Sequence, residues 1–311
     1  MKRREFLQRA LLTPGVAAIA GRAPVATQSE APRITFTFDD FNVFDVPALS
    51  GASRNNAILE ALRANGLKAA VFVIGRYVED SGKMGLLQLW NDAGHIVGNH
   101  TYSHRRYSRA DFSEFTKDIL ANDAKLNSLS RFRKWLRFPF LDEGVTADQR
   151  DRMRGFLADA GYRNAHVTID ASDWYVDGRL RARLEKDREA DVAPYRRFYL
   201  DHIWERALYY ETLSRQVVGR RIHHTVLLHH NVLNGMFLGD LLRMFRDRGW
   251  QLVDAETAYA DPMFASTPRV LPAGQSLVWS LAKATGKFDM ELRYPGEDGA
   301  YEAPKMDALG L

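Results

Sequence analysis

The chain has 311 residues, no cysteine, and 43 Lys and Arg against 39 Asp and Glu, for a formal net charge of +4. That length holds one large α/β domain or two small ones, and the lack of cysteine excludes disulfides and thiolate ligation, so any metal must be held by histidine and carboxylate. The charge excess sits in residues 1–26, where Lys2, Arg3, Arg4, Arg9 and Arg22 face Glu5 alone, so the basicity belongs to this leader and no nucleic-acid-binding surface is implied.

Residues 1–26 read as an export signal that resembles the twin-arginine type: Arg3-Arg4 with Phe6-Leu7, a mildly apolar stretch from Ala10 to Ala20, then small residues suited to cleavage. Thr13, Pro14 and Gly15 interrupt the stretch, which is too short to span a bilayer as a stable helix and so reads as a removable signal. The expectation is an exported, periplasmic or extracellular protein with the export machinery as a partner.

From Arg33 onward short apolar runs alternate with stretches of helical period. The runs predict strands at Ile34 to Phe38, Ala69 to Ile74, Ile96 to Gly98, Trp135 to Phe138, Asn164 to Ile169, Thr225 to Leu228 and Gln251 to Val253. Helical patterns fall near Asn56 to Ala64, Gly85 to Ala93, Asp111 to Leu129, Ala147 to Ala160, Phe198 to Val218 and Leu238 to Arg248. Strands alternating with helices imply a parallel sheet. Polar clusters close several different strands, which favours a barrel mouth over the single crevice of an open sheet. The charged run Arg179 to Glu189 reads as a solvated helical face without chemistry. After Asp261 the pattern loosens into a Pro-containing tail that either wraps the domain or pairs as a hairpin around Ser276 to Ala282.

Three of the clusters combine into a site. Asp39-Asp40 follows the first apolar run, His100 and His104 stand four apart after the third, and His229-His230 closes the most apolar one. On a helical turn His100 and His104 would point the same way and share one ion. The spacing equals that of the zinc proteases, but Thr101 stands where their general base Glu would be, which disfavours that chemistry. One Asp adds a third ligand while the other serves as a base, provided the strand bends, because neighbours on a regular strand face opposite ways. The same alternation turns one of His229 and His230 inward without saying which. His223-His224 begins that strand about 20 Å away and reads as structural; His166 and His202 have no partner pattern. Arg137 in Arg-Phe-Pro-Phe can hold a carboxylate through paired hydrogen bonds. Asp170-Ala-Ser-Asp173-Trp174 offers an acid to orient a histidine and an indole to stack on a sugar.

In this order the patches resemble the five motifs of the polysaccharide deacetylase family, the NodB-like domain of carbohydrate esterase family four, over roughly Arg33 to Pro262. The resemblance implies a distorted (β/α) barrel of about seven parallel strands as a single catalytic domain at 31–262, followed by an extension at 263–311. It implies Asp39 as catalytic base, Asp40, His100 and His104 as metal ligands, and Arg137 as the holder of the base. The Phe140 amide would assist the oxyanion, Asp173 would tune His229 as the acid, and Trp174 would form a groove wall. The expected cofactor is a divalent metal ion, zinc foremost, and the expected partner an acetylated carbohydrate. The expected reaction is removal of N-acetyl groups from an amino sugar; an O-acetyl esterase, a small-molecule amidase and a non-catalytic carbohydrate-binding protein are the alternatives. The chain departs from the family at Phe41, where Gly is common and a large side chain restricts the backbone and narrows the cleft. It departs again at Phe140, commonly Tyr, and at His230-Asn231, where Asp is usual after the catalytic histidine.

Overall fold

The β-branched and aromatic runs form strands buried on both faces, the pattern expected of a covered parallel sheet. The computed structural model describes residues 31–293 and 296–311; the leader at 1–26 lies outside the described residues. The strands are β1 Arg33–Asp39, β2 Ala70–Val73, β3 Ile96–Asn99, β4 Phe132–Leu136, β5 Asp142–Gly144, β6 Arg163–Asn164, β7 His223–His229, β8 Gln251–Leu252 and β9 Ala273–Gly274. The helices are α1 Gly51–Ala64, α2 Ser81–Asp92, α3 Phe112–Leu126, α4 Ala147–Asp159, α5 Asp173–Lys186, α6 Ala193–Val218, α7 Val232–Asp247, α8 Ala255–Tyr259, α9 Leu277–Thr285 and α10 Gly299–Ala308.

Six strands pair in the order β6, β4, β3, β2, β1, β7, and β8 joins β1 to complete a seven-stranded parallel sheet. The sheet curls, and the segment 163–169 links its two edges. Arg163 and Asn164 pair with β4, the Ala165 amide donates to Leu136, and Ile169 then bridges Val226 of β7. Only two residues of the expected strand Asn164 to Ile169 are therefore regular. Side chains claim the carbonyls that follow: Arg137 Nε donates to Ala165 at 2.6 Å, and Thr225 Oγ1 and the Tyr259 hydroxyl donate to His166 at 3.1 Å each, while Val167 accepts from the Leu277 amide. The expected distorted barrel of about seven strands is this curled sheet.

Other boundaries moved for local reasons. β4 begins three residues before the expected Trp135, because Arg133 and Lys134 hide a half-exposed strand anchored by Leu136. α1, α2 and α7 begin before the apolar period does, at caps that accept amide protons: Ser50 from Ser53, Asp80 from Lys83 and Asn231 from Asn234. The tail wraps the domain and forms no hairpin at 276–282. Ser276 caps α9, whose Leu277, Val278 and Trp279 are buried in the main core, and Met306 of α10 joins them. An apolar run buried on all sides carries no period that separates helix from strand. Residues 31–311 thus form one compact unit, with the extension built into its core. Among the described residues no helix is long and apolar enough to cross a membrane.

Candidate active site

The parallel register sets Asp39 of β1 directly opposite His229 of β7, at the carboxyl ends of both strands. Around these two ends the backbone is bent in an unusual way. Among the described residues seven non-glycine positions have a left-handed φ: Asp40, Phe41, Thr101, His104, Phe140, Leu141 and Gln275. All belong to the cleft or adjoin a residue that does. Such conformations cost energy and persist where surrounding structure enforces them, commonly at functional sites.

At Asp40 (φ 74°) the bend lets both adjacent carboxylates reach one site. Asp39 is 3% exposed, and its Oδ1 accepts from Arg137 Nη1 at 2.8 Å. Asp40 Oδ1 lies 3.4 Å from Nε2 of both His100 and His104. The helical turn expected to align these histidines does not form. Residues 101–106 are a loop in which Thr101 and His104 are left-handed and the His104 amide donates to Thr101 Oγ1. Loop backbone thus does what a helix would have done by periodicity.

The three side chains fit a metal ion. One ligand atom from each lies within 4.8 Å of the others, and Asp40 Oδ1 is buried without a hydrogen-bond partner, an orphan that a cation would satisfy. His100 Nδ1 sits 2.7 Å from the Arg137 carbonyl, which makes it the protonated nitrogen and leaves the Nε2 lone pair to ligate. Burial, reinforced by the charge of His100, pushes His104 down to about 3, so its ring is neutral and able to ligate at ordinary pH. Burial pushes the Asp40 carboxyl up, but the surrounding imidazoles of His100, His229 and His104 outweigh it and hold the group below the usual carboxylate range.

His229 faces the triad across the cleft. Its Nδ1 lies 2.7 Å from Asp173 Oδ1, and Asp173 Oδ2 accepts from the His229 amide, Asn231 Nδ2 and Asn234 Nδ2, each at 2.9 Å. Burial acts to lower His229, but the charge and hydrogen bond of Asp173 override it and raise the ring to about 10. Asn231, which breaks the expected family pattern, therefore buttresses the carboxylate behind the histidine. His230 turns into the core, with Nδ1 2.8 Å from the Asn42 carbonyl and its ring against Phe41 and Trp90. Phe41 is fully buried in that cluster and does not narrow the cleft, contrary to the expectation for a large residue there. The strain of its φ of 46° is held by the packing of the ring.

Arg137 is wholly buried and its donors are nearly all committed. Besides Asp39 and Ala165 it reaches the Tyr259 hydroxyl at 3.0 Å and Thr37 Oγ1 at 3.3 Å, and it stacks over Phe72. Burial disfavours its charge, and the neighbouring Asp39 carboxylate more than restores it. Phe140 stands on the rim, half exposed, with its ring 4.7 Å from that of His104 and beneath the Arg106 guanidinium. The two turn bonds there, Leu141 to Phe138 and Asp142 to Pro139, leave its amide unused. Trp174 is exposed at the start of α5 and lines the opposite wall.

The cleft has a volume of about 490 Å³ and includes residues that sequence reasoning did not select. Gln275, Glu297 and Asp298 of the extension line it beside Asp170. Burial and the charge of Glu297 push Asp170 up to about 8, above the ordinary carboxylate range. Beneath the His100 loop a buried amide network joins the ends of β2 and β3 to the loop and to α3. Asn122 Nδ2 donates to the carbonyls of Val73 and Thr101, and Asn99 Oδ1 accepts from Asn122 Nδ2 and the Thr101 amide. Its only trace in the sequence is an asparagine just before His100. His224 pairs with Glu211 at 3.1 Å at the far end of β7, and the His202 ring accepts from the Ser172 amide at 2.9 Å and lies 3.5 Å from Glu302.

Known proteins share this arrangement in part. The family described as Polysaccharide deacetylase matches residues 26–165. The peptidoglycan-N-acetylglucosamine deacetylase of Bacillus cereus is 31% identical over 118 residues, 38% of this chain and 40% of that protein. The chitooligosaccharide deacetylase of a Bradyrhizobium species is 27% identical over 148 residues, 47% and 60% of the two chains. The matched stretch thus spans less than two thirds of either curated relative. A solved polysaccharide deacetylase from Bacillus cereus superposes with a TM-score of 0.52 at 18% identity, covering 72% of this chain and 91% of that one, and shares the fold. The matched residues contain Asp39, Asp40, His100, His104 and Arg137 and end before Asp173 and His229. Residues 26–165 of this chain are thus similar to the polysaccharide deacetylase family.

Proposed function

We propose that the protein hydrolyses acetyl groups from an acetylated amino sugar in an oligosaccharide or polymer, releasing acetate. The observation that carries this reading is the opposition, across one cleft, of a carboxylate–imidazole triad with an adjacent free carboxylate and a histidine held by a buried aspartate. Asp40, His100 and His104 would hold a divalent ion, zinc foremost, which when bound supplies Lewis-acid polarisation of the acetyl carbonyl and of water.

Asp39 takes the proton from the attacking water. Its second oxygen stays clear of Arg137, which fixes the carboxylate through the first. The Phe140 amide, left out of its own turn, donates to the developing oxyanion. His229 enters protonated, because Asp173 stabilises its imidazolium, and gives that proton to the departing amine. Trp174 supplies an aromatic face for the sugar ring beside the reacting bond. An acid and a base facing one ion have no use in a protein that only binds sugar. We also propose that residues 1–26 direct export; amino-terminal sequencing of the secreted or periplasmic form tests this, and retention of the leader on a cytoplasmic protein contradicts it.

The decisive experiment measures acetate release from N-acetylglucosamine oligomers and from O-acetylated xylan, with Asp39→Asn as control. Release from the amino sugars that the variant loses supports the deacetylase. Release from xylan alone assigns an esterase, and no release from either removes the polysaccharide reading.

A further inference from the structure

We infer that the pocket beside Trp174 is a subsite for a carboxylate carried by the sugar substrate, held between Arg54 and Arg181. This deepens the deacetylase reading and rests on it, since the same substrate would place its acetyl group at the triad.

The pocket has a volume of about 190 Å³ and shares Asp40, Trp174 and His229 with the cleft of the reaction centre, while Arg54, Asp177 and Arg181 also line it. Arg54 projects from the first turn of α1 and is 2% exposed. It spends Nη2 on the carbonyls of Asn42 at 2.6 Å and Phe44 at 2.8 Å, and Nη1 reaches only the Leu49 carbonyl at 3.4 Å. Its Nε is buried without a partner, and among the described residues no carboxylate lies within 4.0 Å of it. A buried guanidinium without a counter-ion is costly, and such a charge is normally paired.

Arg181 repeats the pattern from α5. Its Nε is also buried without a partner, while 42% of the side chain stays exposed. Asp177 is its nearest carboxylate at 3.8 Å and already accepts from the Leu233 amide at 3.0 Å. Asp177 thus stands near two guanidinium groups without making a close ion pair to Arg54. Burial and the charge of Arg181 push Arg54 below its ordinary value, against the pull of Asp177 and Asp45. A planar monoanion with two acceptor oxygens fits unclaimed guanidinium donors, whereas Asp177 and Asp40 disfavour a more highly charged group. The hydroxyls of a neutral sugar would leave the charge uncompensated.

The test titrates the protein as isolated, by calorimetry, with N-acetylglucosamine, N-acetylmuramic acid (the same sugar with a lactyl ether carboxylate) and glucuronic acid. At least one acidic sugar should bind about tenfold more tightly than the neutral one, the gain of one charge-assisted hydrogen-bonded pair. Which of the two does so separates a lactyl substituent from a ring carboxylate. Arg181→Gln should lose most of that preference. Arg54→Lys, which keeps the charge without the fork and spares the loop that Arg54 clamps, should lose part of it. Equal binding of acidic and neutral sugars by the unaltered protein overturns the inference, as does a preference that survives Arg181→Gln. Acetate release from neutral oligomers without any acidic preference removes this pocket alone, whereas carboxylate binding without acetate release from any substrate removes the deacetylase reading.

Discussion

Arg137 Nη1 donates to Asp39 Oδ1 across 2.8 Å, a fully buried pair that ties the end of β4 to the end of β1 over a separation of 98 residues. The bond occupies one carboxylate oxygen and fixes the direction of the other.

Replacing Asp39 by Asn keeps the shape and removes the base. Turnover should fall by about 10²- to 10⁴-fold, the usual contribution of a general base. Metal content should stay at the unaltered level, because Asp40, His100 and His104 remain. Steady-state rates with metal analysis of the same sample check both outcomes, and retained turnover assigns the base elsewhere.

His104→Ala should lose the metal itself. The loop that carries His104 is held by Thr101 Oγ1 and the Asn122 network and not by the ring, so the fold should survive. Metal per mole of protein after dialysis reads the first point and circular dichroism the second. Unchanged metal content would remove the triad.

Asp173→Asn should free His229 of its partner. In metal-free protein the His229 ring, raised to about 10 by Asp173, stays protonated through neutral pH and releases its proton only as the pH climbs through that value. In the variant the release should move down toward the ordinary histidine range, and activity with it, because less imidazolium is present to protonate the amine. Imidazole resonances followed by NMR against pH report the shift, and an unmoved titration contradicts the pairing.

Acid should destabilise the protein through two buried carboxylates remote from the cleft. Burial pushes Glu302 up, but the hydrogen bond and charge of His202 bring it down to about 2; burial likewise acts on Asp261, which the Arg220 ion pair and backbone amides hold at about 2. Both values are depressed, so the stability these groups contribute is complete above the ordinary carboxylate range and is lost as pH falls toward 2. Each can steepen the loss by up to about 1.4 kcal/mol per pH unit. Urea unfolding between pH 6 and pH 2.5 should show the decline, and Glu302→Gln should flatten it.

Local sequence alone set which polar residues stand at the ends of which strands. Asp39-Asp40 and His229 follow apolar runs whose composition makes them strands, and a polar residue ending a buried strand must lie at the rim of the sheet. Cysteine absence left only histidine and carboxylate for a metal, and the alternation of runs and helical periods gave the parallel sheet. These are local properties, set by neighbours a few positions apart.

The geometry that makes a site of them is not local. The β1–β7 register that puts Asp39 opposite His229 joins residues 190 apart in sequence. The left-handed bends at Asp40, Phe41, Thr101 and His104 run against the preference of those residues and hold only because ring packing and the Asn99–Asn122 network enforce them. The choice of His229 over His230 follows from which ring finds Asp173 and which finds Phe41 and Trp90. Segment 163–169 spends the carbonyls of Ala165 and His166 on side chains from three distant elements, so its strand pattern yields two paired residues. The placing of Gln275 and Glu297 in the cleft, and of Arg54 without a counter-ion, depends on burial that no spacing encodes. Composition and period set the inventory and the fold class; long-range packing decided which members of the inventory share a cleft.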